Sequence, residues 1–235
     1  MNKLVISNND DISDIVITED TCLSINFIDS NKYLHINVMD GICLKVFEFS
    51  KNTANKVIYR LGMDSNVILN KIAFNNSDIV DVFLDGERAN LKFYSSILNE
   101  TDNVCVQNIY HNASFTKSDI RNHGVNIKDR VFHFLVNGTV SRNSIETDLS
   151  QDNKIINLEN GKSFIFPNLI VDDNCVNATH SAYIGDFKKD EIFYLQSRGI
   201  SYRNCRKLLL RGFILNHMDL ADDDLEMVDK LLEDI

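Results

Sequence analysis

From Leu4 to about Val176 the apolar residues come in short runs alternating with polar ones, and no apolar period of helical length interrupts them. Ile15-Val16-Ile17, Leu23-Ile25-Phe27, Leu34-Ile36-Val38 and Leu44-Val46-Phe47-Phe49 open the series; Val57-Tyr59-Leu61, Val67-Leu69, Ile72-Phe74, Val80-Val82-Leu84 and Leu91-Phe93-Tyr94 continue it. A period of two, rich in β-branched and aromatic residues, specifies strands, because successive strand side chains point to opposite faces. Between the runs lie turn-forming clusters: Asn8-Asn9-Asp10, Asp40-Gly41, Asn75 to Asp78, Asp85-Gly86 and Asn99 to Asp102. About fifteen short strands with no intervening helix leave two architectures, a sandwich or a β-helix. Even spacing, Asn-rich turns and the scarcity of Gly and Pro (nine and one in 235 residues) favour a right-handed parallel β-helix, although no strict repeat is present.

Past Gly185 the pattern changes. Asp190 and Glu191 stand where a helix dipole favours acids, Ile192, Phe193 and Leu195 follow, and Gly199 ends the segment. Ser201 suits the N-cap of a second helix, whose apolar face is read as Cys205, Leu208, Leu209, Gly212 and Phe213. A third helix is expected from the acidic run Asp222 to Asp224, with Leu225, Val228, Leu231, Leu232 and Ile235 as its apolar residues. The reading is mainly β, with a β-helix core over 1–185 and a small helical region over 186–235. The first 25 residues are expected to cap the open end of the β-helix.

A net charge of −10 and a pI near 5.0 argue against nucleic acid as a partner. No run of 18 apolar residues is present, and the start, MNKLVISNNDD, lacks the apolar core of a signal peptide, so a cytoplasmic protein is expected. Cys22, Cys43, Cys105, Cys175 and Cys205 are scattered and never in CxxC spacing, which fits buried small hydrophobes better than a disulfide framework. No phosphate-binding Gly-rich loop, GxSxG elbow or HExxH pair occurs, so no catalytic set is named and no bound nucleotide is expected.

Two features carry chemistry on their own terms, each with a plain structural alternative. His180 lies among the small residues of Asn177-Ala178-Thr179-His180-Ser181-Ala182, which leave an imidazole accessible for metal ligation or for an ordinary turn hydrogen bond. The segment Ile192 to Ile214 carries an apolar face interrupted by Arg198, Arg203, Arg206 and Arg211, and it either packs on the β body or docks a partner. His111 and His123 read as structural, and His35 and His133 as strand-face residues.

Five blocks resemble a known family. They are Tyr110-His111-Asn112-Ala113 with Thr116, Ser118 and Gly124-Val125; Asp129-Arg130-Val131 to Gly138; Thr147-Asp148 with Ser150-Gln151 and Asn157-Leu158; Pro167-Asn168-Leu169-Ile170-Val171-Asp172-Asp173; and His180-Ser181-Ala182-Tyr183-Ile184-Gly185 followed by Phe193-Tyr194-Leu195-Gln196-Ser197-Arg198-Gly199-Ile200-Ser201. Together they are similar to the C-terminal core of SufB and SufD, the SUF-system proteins of iron–sulfur cluster assembly, across residues 80 to 218. The family's helical N-terminal region has no counterpart, so the resemblance implies a short form.

The resemblance implies a β-helix followed by C-terminal helices, and an accessory scaffold rather than an enzyme. It implies pairing through the β-helix with a SufB-type chain, and docking of a SufC-type ABC ATPase on Phe193, Tyr194, Arg198, Gly199, Ile200, Leu208, Leu209 and Phe213. A transient iron–sulfur cluster would form at the subunit interface. Asp152 stands where SufB types carry a cysteine and Ser181 where they carry a glutamate. Only the SufD-type histidine, His180, is retained, which makes the chain SufD-like. The alternative is a minimal homodimeric scaffold working with the ATPase alone, with His180 joined by Asp152 or Cys175. A β-helical carbohydrate-active protein is the third reading.

Overall fold

A computed structural model describes residues 1–142, 144–172, 175–218 and 220–233. Its strands are β1 (Asn2–Ser7), β2 (Asp14–Ile17), β3 (Thr21–Ile28), β4 (Tyr33–Val38), β5 (Cys43–Thr53), β6 (Lys56–Leu61), β7 (Asn66–Asn76), β8 (Ile79–Leu84), β9 (Asn90–Asn99), β10 (Asn103–His111), β11 (Lys117–Asn126), β12 (Val131–Val140), β13 (Thr147–Asn157), β14 (Lys162–Val171) and β15 (Val176–Gly185). Odd strands stack in order into one parallel sheet and even strands into a second. Each coil gives one strand to each sheet, which is a parallel β-helix. Equivalent core positions fall at Leu44, Val67, Leu91, Ser118, Leu149 and Ala178, so the repeat lengthens from 23 residues to as many as 31. That drift explains why no strict repeat is legible.

The inner faces of both sheets form one apolar column including Ile25, Leu44, Val67, Phe93, Phe132 and Phe134. The Asn-rich turns have a backbone reason. Asp29, Asn52 and Asn75 adopt left-handed φ angles of 50°, 52° and 51° at one corner of successive coils, a conformation Asn and Asp tolerate best after Gly. Asn52 Nδ2 donates to Asp29 Oδ1 at 2.9 Å, and Asn75 Oδ1 accepts from the Glu100 N–H at 2.8 Å, so the corner is laced from coil to coil.

One charged group sits inside the column. Lys71 Nζ lies 2.5 Å from Glu48 Oε1 and 2.6 Å from Asp78 Oδ2, with all three side chains at most 2% exposed. Burial opposes the Lys71 ammonium, but Asp78 and Glu48 outweigh it and hold its pKa above the ordinary lysine value. Burial raises the Glu48 carboxyl.

Helices α1 (Lys189–Ser197), α2 (Tyr202–Leu215) and α3 (Asp222–Glu233) follow Gly185. Leu210, Ile214, Val228 and Leu232 pack on Phe47, Phe49, Ile72, Leu98 and Val125, the outward residues of the odd-strand sheet. This is why β5, β7, β9 and β11 carry apolar residues on both faces. Ser96 Oγ donates to the Ile214 carbonyl at 2.6 Å and His123 Nδ1 to the Phe213 carbonyl at 2.7 Å, anchoring the last turn of α2. The His123 ring also stacks on Phe213, with centroids 4.3 Å apart.

Several sequence expectations change. Val67–Leu69 and Ile72–Phe74 belong to one strand, β7, because Ile72 faces the helices and Asn70 is buried within the strand instead of turning the chain. The buried face of α2 is Cys205, Leu210 and Ile214, and Leu208 points to solvent. The first 25 residues form regular strands β1 to β3 of the first coils, not a separate cap. Ile235 and Asp173 lie outside the described residues.

Candidate functional site

The candidate site lies where the coils run out. β14 and β15 are the last strands of their sheets, so each leaves one backbone edge without a strand partner. Phe164, Phe166, Ile170, Val171, Tyr183 and Ile184 are exposed on them. His180 stands in the middle of β15, paired in register with Gln151 of β13. Its row runs Leu23, Val46, Leu69, Phe93, Ile120, Gln151, His180. The first five side chains are buried core, so parallel in-register stacking points Gln151 and His180 toward the same interior. No coil covers His180, and it is exposed.

The other sequence-selected ligands do not join it. Asp152 follows Gln151 and so points to the outer face of the sheet. There Lys154 Nζ donates to its Oδ2 and Ser181 Oγ to its Oδ1, both at 2.6 Å. Burial works to raise the Asp152 carboxyl, and those two hydrogen bonds outweigh it and hold it below its ordinary value. Cys175 lies on the order of 16 Å from His180 along a strand that rises about 3.3 Å per residue. It lines a corner cavity of about 670 Å³ with Arg88, Lys117 and Glu146. Among the described residues no three His, Cys, Asp or Glu side chains converge to hold a metal.

The helices present a second surface. α1 buries none of its residues, and Phe193 is 73% and Tyr194 58% exposed. Arg198 packs over the Tyr194 ring at 5.3 Å. Gly199 takes φ +84°, which turns the chain after α1 with no Cβ in the way. Ser201 Oγ caps α2 by accepting from the Asn204 N–H at 3.3 Å. Tyr202 and Leu208 are also exposed, Ile200 and Leu209 are half-buried, and Phe213 is turned onto His123. Phe193, Tyr194 and Leu208 are therefore available to a partner, and Phe213 serves to hold α2 on the sheet.

The interior placement of Gln151 and the Glu48–Lys71–Asp78 group escape sequence reading. The signal for Gln151 is a polar residue in a row that is apolar in every earlier coil, and it becomes visible only once the register is known.

The chain has recognisable relatives. A family profile described as "SUF system FeS cluster assembly, SufBD core domain" matches residues 34–213. The chain is 24% identical over 206 residues to iron–sulfur cluster assembly protein SufD of Plasmodium falciparum, which covers 80% of this chain and 14% of that protein. It is 30% identical over 149 residues to SufD of Escherichia coli (60% of this chain, 34% of that protein), and 28% over 119 residues to SufD of Bacillus subtilis (49% and 26%). The chain thus matches between 14% and 34% of the length of each of the three.

Proposed function

The chain belongs to the SUF-system SufBD core family and is SufD-like, and from that premise we propose that it is an accessory scaffold subunit in iron–sulfur cluster assembly. In this reading the β14–β15 end pairs with a SufB-type chain, His180 supplies one ligand to a cluster held between the two, and the α1–α2 surface docks a SufC-type ATPase. The observation that carries it is the open terminal coil: among the described residues its two strand edges have no strand partner, His180 stands at its centre with Ile184 exposed on the same face, and Phe164, Phe166, Ile170 and Tyr183 are exposed on the outer faces beside it. A partner edge would cover that surface and bring its own ligands opposite His180.

A homodimer is the second reading, since the same open end can meet a second copy about a two-fold axis. Asp152, on the outer face, would not complete its ligand set.

Co-expression with a SufB-type and a SufC-type protein, followed by capture of this chain, tests the proposal. Both partners are expected in the wild-type eluate. Ile170→Lys should lose the SufB-type chain and keep the ATPase, and a Phe193→Ala/Tyr194→Ala double variant should do the reverse. Capture of the ATPase alone by the wild type would move the homodimer forward. Capture of neither would refute both.

A further inference from the structure

Gln151 carries a polar atom that the fold leaves unused. Its side chain is 3% exposed and reaches across the interior of the last full coil, where Nε2 donates to the Asn168 carbonyl at 3.5 Å. Its carboxamide oxygen Oε1 is buried and accepts nothing. Other buried oxygens share that state, those of Asn26 and Asn70 among them, but this one belongs to the residue paired in register with His180. The opposite wall makes room for this amide: a Cβ on Gly138 would come within 2.9 Å of Gln151 Nε2. The next interior position is fully engaged by contrast, since Asn153 Oδ1 accepts from Asn122 at 2.8 Å and its Nδ2 donates to the Ser181 carbonyl at 3.3 Å. Gln151 therefore sits one strand spacing, about 4.8 Å, below His180 in the register, and its side chain leaves the strand on the same face.

A neutral imidazole that gives one nitrogen to a metal carries its proton on the other, and that N–H is held by an acceptor. We propose that Gln151 Oε1 is this acceptor: it takes the ring N–H of His180, fixes the tautomer, and turns the bare nitrogen outward to the face where a partner would sit. Gln151 is thus a positioning residue, and the inference rests on reading His180 as a ligand. An uncharged amide suits the task, because it accepts without drawing a second proton onto the ring.

The test uses the full chain without metal, ¹⁵N-labelled at its six histidines, with the ring ¹⁵N shifts of His180 (assigned by loss in His180→Asn) read at pH 8. The wild type should show one dominant tautomer. Gln151→Leu should redistribute the two tautomers several-fold, and Gln151→Glu, which keeps an acceptor at the same reach, should hold the same ring N–H while moving the ring's protonation to higher pH. Gly138→Ala should act like Gln151→Leu by displacing the amide, and it serves if the leucine variant does not fold. An unchanged tautomer ratio in whichever of these two variants folds, or a glutamate variant that resembles the leucine one, overturns the inference and leaves Oε1 to a buried water. Cluster content of the purified complex separates this from the larger reading: if His180→Ala leaves it unchanged, the ligand role fails even where the hydrogen bond stands.

Discussion

Replacing Lys71 with Met removes the cation that the two buried carboxylates share. Asp78 keeps other donors: Thr53 Oγ1 at 3.0 Å, the Asn55 N–H at 2.5 Å and Asn76 Nδ2 at 2.6 Å. Glu48 keeps one weak bond, from Ser50 Oγ at 3.3 Å, and its Oε2 is already unpartnered. The cost therefore falls on Glu48. Removing one partner of a buried ion pair typically costs about 3–5 kcal/mol, and the upper half of that range is expected at neutral pH. Burial already raises the Glu48 carboxyl from its ordinary 4.5, and loss of Lys71 raises it further. A carboxyl whose folded pKa is raised binds a proton that the unfolded chain has released, so folding loses stability as pH climbs from the unfolded value toward the folded one. The slope is about 1.4 kcal/mol per pH unit and proton. The gap between wild type and Lys71→Met should thus be smallest near pH 4.5 and widen toward pH 7. Urea unfolding at pH 5 and pH 8 measures it, and adding Glu48→Gln should recover most of the loss. A gap under about 1 kcal/mol at pH 7, or one that does not change with pH, would refute the reasoning.

Other regions give further tests. Burial pushes the pKa values of His111 and His123 down to about 4 from 6.5. A base with a depressed folded pKa stabilises the fold above its unfolded pKa and loses that contribution as pH falls, here between 6.5 and 4, by about 3 kcal/mol each. His111→Gln should therefore flatten the acid limb of a thermal-melt profile, and an unchanged limb would contradict it. Asn75 has φ 51°, so Asn75→Gly keeps the backbone and loses only the bond to the Glu100 N–H, a cost of about 0.5–1.5 kcal/mol, whereas Asn75→Val adds backbone strain and should cost about 1–2 kcal/mol more in the same denaturant assay. Val228→Asp places a carboxylate among Leu210, Ile214 and Phe47 and should release α3 to proteolysis while leaving the β-sheet circular dichroism intact.

How much of this was legible follows from which side chains carry the period. In β3, β4 and β12 the alternation is clean, because one face is core and the other meets solvent, and these strands could be read directly. In β5 and β7 it breaks, since Phe47, Phe49 and Ile72 lie under helices that come more than 120 residues later. The same long-range packing decides that α2 buries Leu210 and Ile214 rather than Leu208. His180 could be singled out because its neighbours are small. Its isolation from Asp152 and Cys175 could not, for the alternation of faces is known only once register is fixed.

The two ends of the β-helix treat the same hazard differently. A bare parallel edge is a template for unwanted pairing, and short strands are one defence against it. At the N-terminal end β1 and β2 have six and four residues. At the other end β14 and β15 have ten each, and Phe164 and Phe166 stack on the surface with ring planes 12° apart. A full-length apolar edge is what a partner needs and what a monomer would avoid. Phe166→Asp should therefore abolish association with a SufB-type chain or a second copy in analytical ultracentrifugation. It should cost the isolated chain no more than about 0.5–1 kcal/mol, because Phe166 is 46% exposed. Val16→Asp, on an exposed apolar site of β2, is the control and should leave association unchanged. Equal effects at the two ends would mean that strand length is not what selects the interface.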